Sequence, residues 1–169
     1  MSTESTPPRK LGELQYRRLL VAVDGSPNAE LALAAAVTAA LRDNAAITLI
    51  CVAPDVIAET SRFPWPAQVA PADQEQSDRY AEQILHDAVE LIPDAIPVTR
   101  VVRRGRAGQQ IVAHANESTY DAILLGARGL SKMGAMLGSV SQHVMHHANV
   151  AVFVAHAPPQ DEVTEPAPE

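Results

Sequence analysis

The stretch LLVAVDGSPNAELALAAAVTAAL, residues 19–41, holds a complete change of secondary structure. Its first five residues are apolar at consecutive positions, which is the pattern of a strand buried on both faces. Asp24 and Gly25 close that strand, Ser26 offers an N-cap oxygen, and Pro27 takes the first helical position, where proline is favoured. An alanine- and leucine-rich body then carries a helix to about Leu41. A buried strand feeding directly into a helix is the first half of a βαβ unit.

The same alternation recurs on the C-terminal side. Residues 47–52 (ITLICV), 98–102, 122–125 (AILL) and 150–155 (VAVFVA) read as further strands. A capping-box-like pair, Asp73 and Gln76, starts a helix with an apolar stripe at Tyr80, Ile84, Leu85, Ala88, Leu91 and Ile92. A short helix over 107–115 turns Ile111 and Val112 inward, and a last one ends near Ala148. Strands and helices in strict alternation, with apolar runs instead of period-two patterns, predict an α/β fold. We expect a doubly wound, five-stranded parallel sheet of order 3-2-1-4-5 with helices on both faces. The domain is expected over 16–156, between two polar, proline-bearing tails, 1–15 and the acidic 157–169, that are expected to be disordered. A proline-punctuated loop, 53–72, carries Trp65, the single tryptophan.

A formal net charge of −7 over 169 residues argues against a general nucleic-acid binder or a membrane-surface protein. No apolar run is long enough to span a bilayer, and the N-terminal residues lack a secretory core. One cysteine, Cys51, cannot build a disulfide framework, so a cytoplasmic location is the expectation.

In a doubly wound sheet, ligands settle beyond the carboxyl ends of the strands, where the winding reverses. For the order 3-2-1-4-5 that point lies between the loops leaving the first and fourth strands. The first loop presents Asp24. The second, GARGLSKMGAMLGSVSQHV over 126–144, presents Gly126, Arg128, Gly129, Lys132, Gly138, Ser139 and Ser141. Two readings stand side by side. The glycines form a strand exit and a helix start with no ligand, or their backbone comes close to an anion seated on a helix N-terminus. On the second reading Arg128 neutralises phosphate by a forked contact. No P-loop and no G-x-G-x-x-G is present.

Two other groups of residues stand out. His143, His146 and His147 have metal-ligand spacing on a helix, but no carboxylate or cysteine accompanies them, so a solvated helix tail is the expectation. Arg100, Arg103, Arg104 and Arg106 are expected on a solvated edge strand, too far from the crevice to touch a phosphate there. No nucleophile with a positioned base is visible, so no catalytic residue is assigned.

The chain resembles the universal stress protein family over residues 17–155, on LLVAVDGSPNAELAL, YDAILLGARGLSK and GSVSQHVMHHANVAVFVA. Nucleotide-binding members carry G-x2-G-x9-G-[S/T]. Here Gly126 and Gly129 match, as do Gly138 and Ser139, with eight residues in place of nine between Gly129 and Gly138. The resemblance implies that ATP is bound, with or without magnesium. Asp24 and the backbone of Val52 would hold the nucleoside, and Ala22 would line the base pocket. Gly126, Gly129, Gly138, Ser139, Val140 and Ser141 would cradle ribose and phosphates. The implied role is a nucleotide-dependent regulatory module of the stress response acting on a protein partner that the sequence does not name. The alternatives are a slow ATPase or phosphoryl or adenylyl transferase, and an interaction module with a vestigial pocket. Because neither Val150 nor Ala155 nor any residue between them is charged, the strand 150–155 is an unprotected edge, and a homodimer through it is expected.

Overall fold

The first strand, β1 (Arg18–Ala22), has its three central residues fully buried because the sheet is covered on both sides. Leu19 and Val21 point into one apolar cluster and Leu20 into another on the opposite face. This computed structural model describes residues 15–56, 74–127 and 137–156. After β1 come α1 (Pro27–Asp43), β2 (Ala46–Ala53), α2 (Gln74–Glu90), β3 (Val98–Arg104), α3 (Ala107–Glu117), β4 (Ala122–Gly126), α4 (Ser139–His147) and β5 (Ala151–Ala155).

All four strand pairings are parallel, and the order is β3-β2-β1-β4-β5, as expected. The elements α1 and α2 cover one face and α3 and α4 the other. The winding therefore reverses between β1 and β4, which places their carboxyl ends beside a crevice. The central strands are buried on both faces, whereas no residue of the edge strands β3 and β5 is fully buried.

Two boundaries differ from expectation for stated reasons. Helix α1 runs to Asp43 because Asn44 adopts a left-handed conformation, φ 56°, and its N–H returns to the Ala40 carbonyl. Strand β3 extends through Arg103 and Arg104, which stay paired with Val52 and Ala53 of β2. Along α2 and just past its end, Leu85, Ala88 and Ile92 of the expected stripe are buried and Ile84 is half-buried, Ala81 joins them, and Tyr80 and Leu91 are exposed. The helix sits over β2 and β3, near the rim of the sheet, so one side of the expected stripe has nothing to cover. On α3, Ile111 is buried and Val112 half-buried, both against the α3/α4 cluster.

Candidate functional site

The loop after β1 satisfies its own polar groups. The Val23 N–H donates to Ile50 O at 3.0 Å and carries the ladder just past β1. Asp24 Oδ1 then accepts from the Ser26 N–H at 3.0 Å, a turn that needs Gly25 at φ +76°. Ser26 is the N-cap of α1, and its buried Oγ accepts from the Ala29 N–H at 3.2 Å. One of the four donors that every helix leaves open at its start is thus filled from within. Asp24 itself remains half-exposed. Its charge reaches Cys51 on β2, whose thiol is pushed up to about 11 by burial first and by Asp24 second. Cys51 is therefore a buried neutral thiol at ordinary pH, not a nucleophile.

The loop after β4 is built differently. A Cβ on Gly126 would sit 2.7 Å from Asn28 Cβ, 2.8 Å from Asn28 C and 2.9 Å from Ala29 N. Glycine is required there because the end of β4 touches the backbone of the first turn of α1. Positive φ among the described glycines belongs to Gly25 and Gly105 alone, so close approach and not backbone conformation is the reason for Gly126. The same contact brings the two loops together. Ala127 N donates to Ala155 O at 2.7 Å and Ala127 O accepts from Gly138 N at 2.7 Å, tying β4, β5 and the start of α4 to one residue. The buried Ser141 Oγ donates to Gly126 O at 2.8 Å and to Ala127 O at 3.1 Å. Its proton therefore fastens α4 to the end of β4, and only its lone pairs remain for other work.

Helix α4 starts at Gly138, φ −64° and ψ 152°, with no side-chain cap. The first internal bond is Gln142 N to Gly138 O at 3.0 Å. The N–H groups of Ser139, Val140 and Ser141 precede it and have no partner within the helix. A helix start of this kind, with the positive end of its dipole, favours an anion. Ser139 is exposed and adds a hydroxyl, while Val140 packs on the α3/α4 cluster. Ala22 and Val52, at the carboxyl ends of β1 and β2, pack on that same cluster and are half-buried. Asp24, Gly126, Gly138, Ser139, Val140 and Ser141 thus belong to the two loops that meet at the reversal of the sheet. Arg128, Gly129, Lys132 and Trp65 lie outside the described residues.

Asn28 and Ala127 are structural parts of this site that sequence reasoning missed, since neither type carries a signal of its own. The histidine expectation needs correction. His143 is half-buried, and a Cβ on Gly108 would meet its Cβ at 2.8 Å, so it packs α4 against α3. Its ring stacks on His147 at 4.1 Å, and His147 Nδ1 donates to His143 O at 2.8 Å. Among the described residues no group of three or more His, Cys, Asp or Glu could hold a metal.

The arginines of β3 are not simply solvated. Arg104 donates through Nε to Asp78 Oδ1 at 3.0 Å and through Nη2 to Oδ2, which holds the Asp78 carboxyl below its ordinary range, with help from Gln74. Arg103 pairs with Glu117 and donates to His114 Nδ1 at 3.0 Å. A guanidinium can only donate, so that nitrogen accepts and His114 Nε2 carries the proton toward Tyr120 Oη at 3.0 Å.

These features define a doubly wound α/β domain whose loops after β1 and β4 meet at the reversal point of its sheet. Residues 15–156 match the model of the universal stress protein family, and the chain belongs to that family. Universal stress protein Rv2623 of Mycobacterium tuberculosis is 34% identical over 143 residues, covering 83% of this chain and 46% of that protein. The chain thus spans about half the length of the curated relatives it matches first. Among solved structures, hypothetical protein MJ0577 superposes with a TM-score of 0.73 at 20% identity, covering 87% of this chain and all of that one. A universal stress protein from Archaeoglobus fulgidus in complex with dAMP superposes with a TM-score of 0.60 at 23% identity, covering 84% of this chain and 99% of that one. At these identities the likeness is one of fold.

Proposed function

We propose that the domain binds ATP, or a close adenine nucleotide, between the loops leaving β1 and β4, and serves as a nucleotide-dependent regulatory module in the stress response. The observation that carries this is the uncapped first turn of α4, fastened beside a half-exposed carboxylate at the reversal of the sheet. Family membership supports it, as does the dAMP held by the Archaeoglobus fulgidus relative. In this reading the N–H groups of Ser139, Val140 and Ser141 take phosphate oxygens, with Gly138 and Gly129 leaving room for them and Arg128 adding charge. Asp24 accepts from the nucleoside, while Ala22 and Val52 border the base. Gly126 holds the two loops together instead of touching the ligand. Magnesium brought by the phosphates would be held by Asp24 and would offset their charge. No described residue supplies a general base, so hydrolysis is absent or slow.

Calorimetry with ATP tests the reading. The expected affinity is micromolar, about −8 kcal/mol. No heat and no thermal shift at millimolar ATP, with the protein folded, would overturn it.

The working form is a cytoplasmic homodimer through the strand 150–155, with the domain spanning 16–156 and acting on a protein partner. Phe153, 46% exposed, supports this, as does the outward-facing backbone of β5. Because Ala155 O receives Ala127 N, alternate residues 151, 153 and 155 face β4, and Val152 and Val154 face outward. Val152→Pro should therefore abolish the dimer and spare the monomer, whereas Phe153→Pro should damage the sheet itself. Sedimentation and circular dichroism separate the two. A parent that is monomeric at micromolar concentration would overturn the dimer.

A further inference from the structure

The opposite edge of the sheet is also open among the described residues. Ile47 N donates to Pro97 O, and Gly105 N donates to Ala53 O, so odd-numbered residues of β3 face β2. The backbone N–H and C=O groups of Val98, Arg100, Val102 and Arg104 therefore point away from the sheet, and no described strand pairs with them. Two cavities run along this edge, of about 470 and 400 Å³, both bordered by Val102 and by Glu82 of α2. A groove with unpaired backbone on one wall fits an added strand.

The side chains of β3 define what that strand would carry. Arg100, Val102 and Arg104 share one face in a basic–apolar–basic order, with Val101 and Arg103 on the other. A second β3 is a poor partner, since its arginines would oppose these. The chain itself contains the complement. Residues 161–165 read Asp-Glu-Val-Thr-Glu, bounded by Pro159 and Pro166 and free of proline within. Laid antiparallel, Asp161 meets Arg104, Glu162 meets Arg103, Val163 meets Val102, Thr164 meets Val101 and Glu165 meets Arg100. Asp161, Glu162 and Glu165 oppose arginines, of which Arg104 and Arg103 also hold Asp78 and Glu117 while Arg100 has no ion pair among the described residues. Val163 and Thr164 set β-branched side chains against Val102 and Val101, and the outward groups of Arg100, Val102 and Arg104 meet residues that all keep an N–H. The parallel register sets Glu162 against Val101 and Thr164 against Arg103 and loses this match.

Reach decides whose segment it is. Asp161 is six residues beyond Ala155, at most about 22 Å of fully extended chain. A strand added outside β3 lies five interstrand steps from β5, about 24 Å in a straight line at about 4.8 Å each. Arg104 also stands beyond the level of Ala155 in the register of the sheet. The segment falls short of its own β3. We infer that residues 161–165 of one copy add as an antiparallel strand to the β3 edge of a second copy, a contact separate from both the nucleotide crevice and the β5 edge.

The test uses a labelled peptide of residues 157–169 titrated with the full chain carrying Val163→Pro, which disables its own segment. Saturable binding is expected, weakened at least tenfold by Arg100→Glu together with Arg104→Glu, and weakened by raised salt. A peptide with Asp161→Lys and Glu165→Lys should reverse the preference and bind the charge-reversed edge better. Arg100 is exposed and has no ion-pair partner among the described residues, so Arg100→Glu alone should fold and still weaken binding severalfold. No saturation up to millimolar protein, or affinity indifferent to the edge charges, overturns the inference.

Discussion

Two strand-to-helix junctions meet at the crevice, and they solve the same problem in opposite ways. After β1, four residues suffice: Asp24 closes a turn on the Ser26 N–H and Ser26 caps α1 through Ala29. After β4, the chain fastens α4 by Ser141 to the carbonyls of Gly126 and Ala127, yet leaves the helix start without a side-chain cap. The first junction spends its polar groups on the fold, whereas the second secures the helix from behind and leaves its donors facing outward. With glycine at its N-cap, this helix start forgoes about 0.5 kcal/mol that a serine or aspartate would have supplied. Of the two junctions, the second is the one whose backbone donors the proposed anion would use.

The largest expected effect strikes the contact that joins the junctions. Gly126→Val would drive a branched side chain into Asn28 and Ala29 backbone, costing about 3 kcal/mol by overpacking. Urea denaturation should show that loss, and a variant as stable as the parent would mean that the two loops do not depend on this approach. Next, Ser26→Ala should cost about 1 kcal/mol by stripping the cap from α1. Its ATP affinity should stay within about twofold of the parent, because that junction serves the fold. A matching loss of affinity would erase the distinction.

Gly138→Asp puts a cap where none exists. Gly138 lies at φ −64° and ψ 152°, which any residue can adopt. The domain should gain about 0.5 kcal/mol while ATP binding weakens at least tenfold, because the new carboxylate takes the anion's place. Thermal melts and calorimetry on one preparation read both. Stabilisation with intact binding would move the phosphates elsewhere.

The smallest effect lies away from the crevice, at α3. His114 has its proton affinity lowered, by burial first and Arg103 second, against an opposing pull from Glu117. The unfolded chain therefore binds more protons just below the ordinary histidine value of about 6.5. The contribution is complete above that pH and is lost as pH falls from there toward the lowered folded value. Protonation at Nδ1 would also set two donors face to face at Arg103. The parent should lose more melting temperature between pH 7.5 and 5.5 than His114→Gln, and an equal loss would exclude His114 as the cause.

Much of the fold was legible because buried parallel strands must be apolar on both faces, and Leu19, Leu20, Val21, Ile123 and Leu124 are all inside. Ser26 and Pro27 marked α1 because capping is local chemistry between residues three apart, which a sequence displays directly. The same locality made the glycine segment visible while leaving its reading double.

What remained hidden depended on partners far along the chain. Gly126 needs its hydrogen because of Asn28, Gly108 because of His143, and Arg104 finds Asp78 on another element. The phase of the α2 stripe, with Tyr80 out and Ala81 in, depends on how far the sheet extends beneath it. The sequence by itself determined which segments are strands and helices, how α1 begins, and the family. Only the tertiary structure decided that Gly126 serves contact between α1 and β4, that Ser141 faces inward to carbonyls, and that α4 starts at Gly138 without a side-chain cap. Hydrophobic period and capping are encoded within a few residues, whereas close approach is set by elements that meet only after the chain has folded.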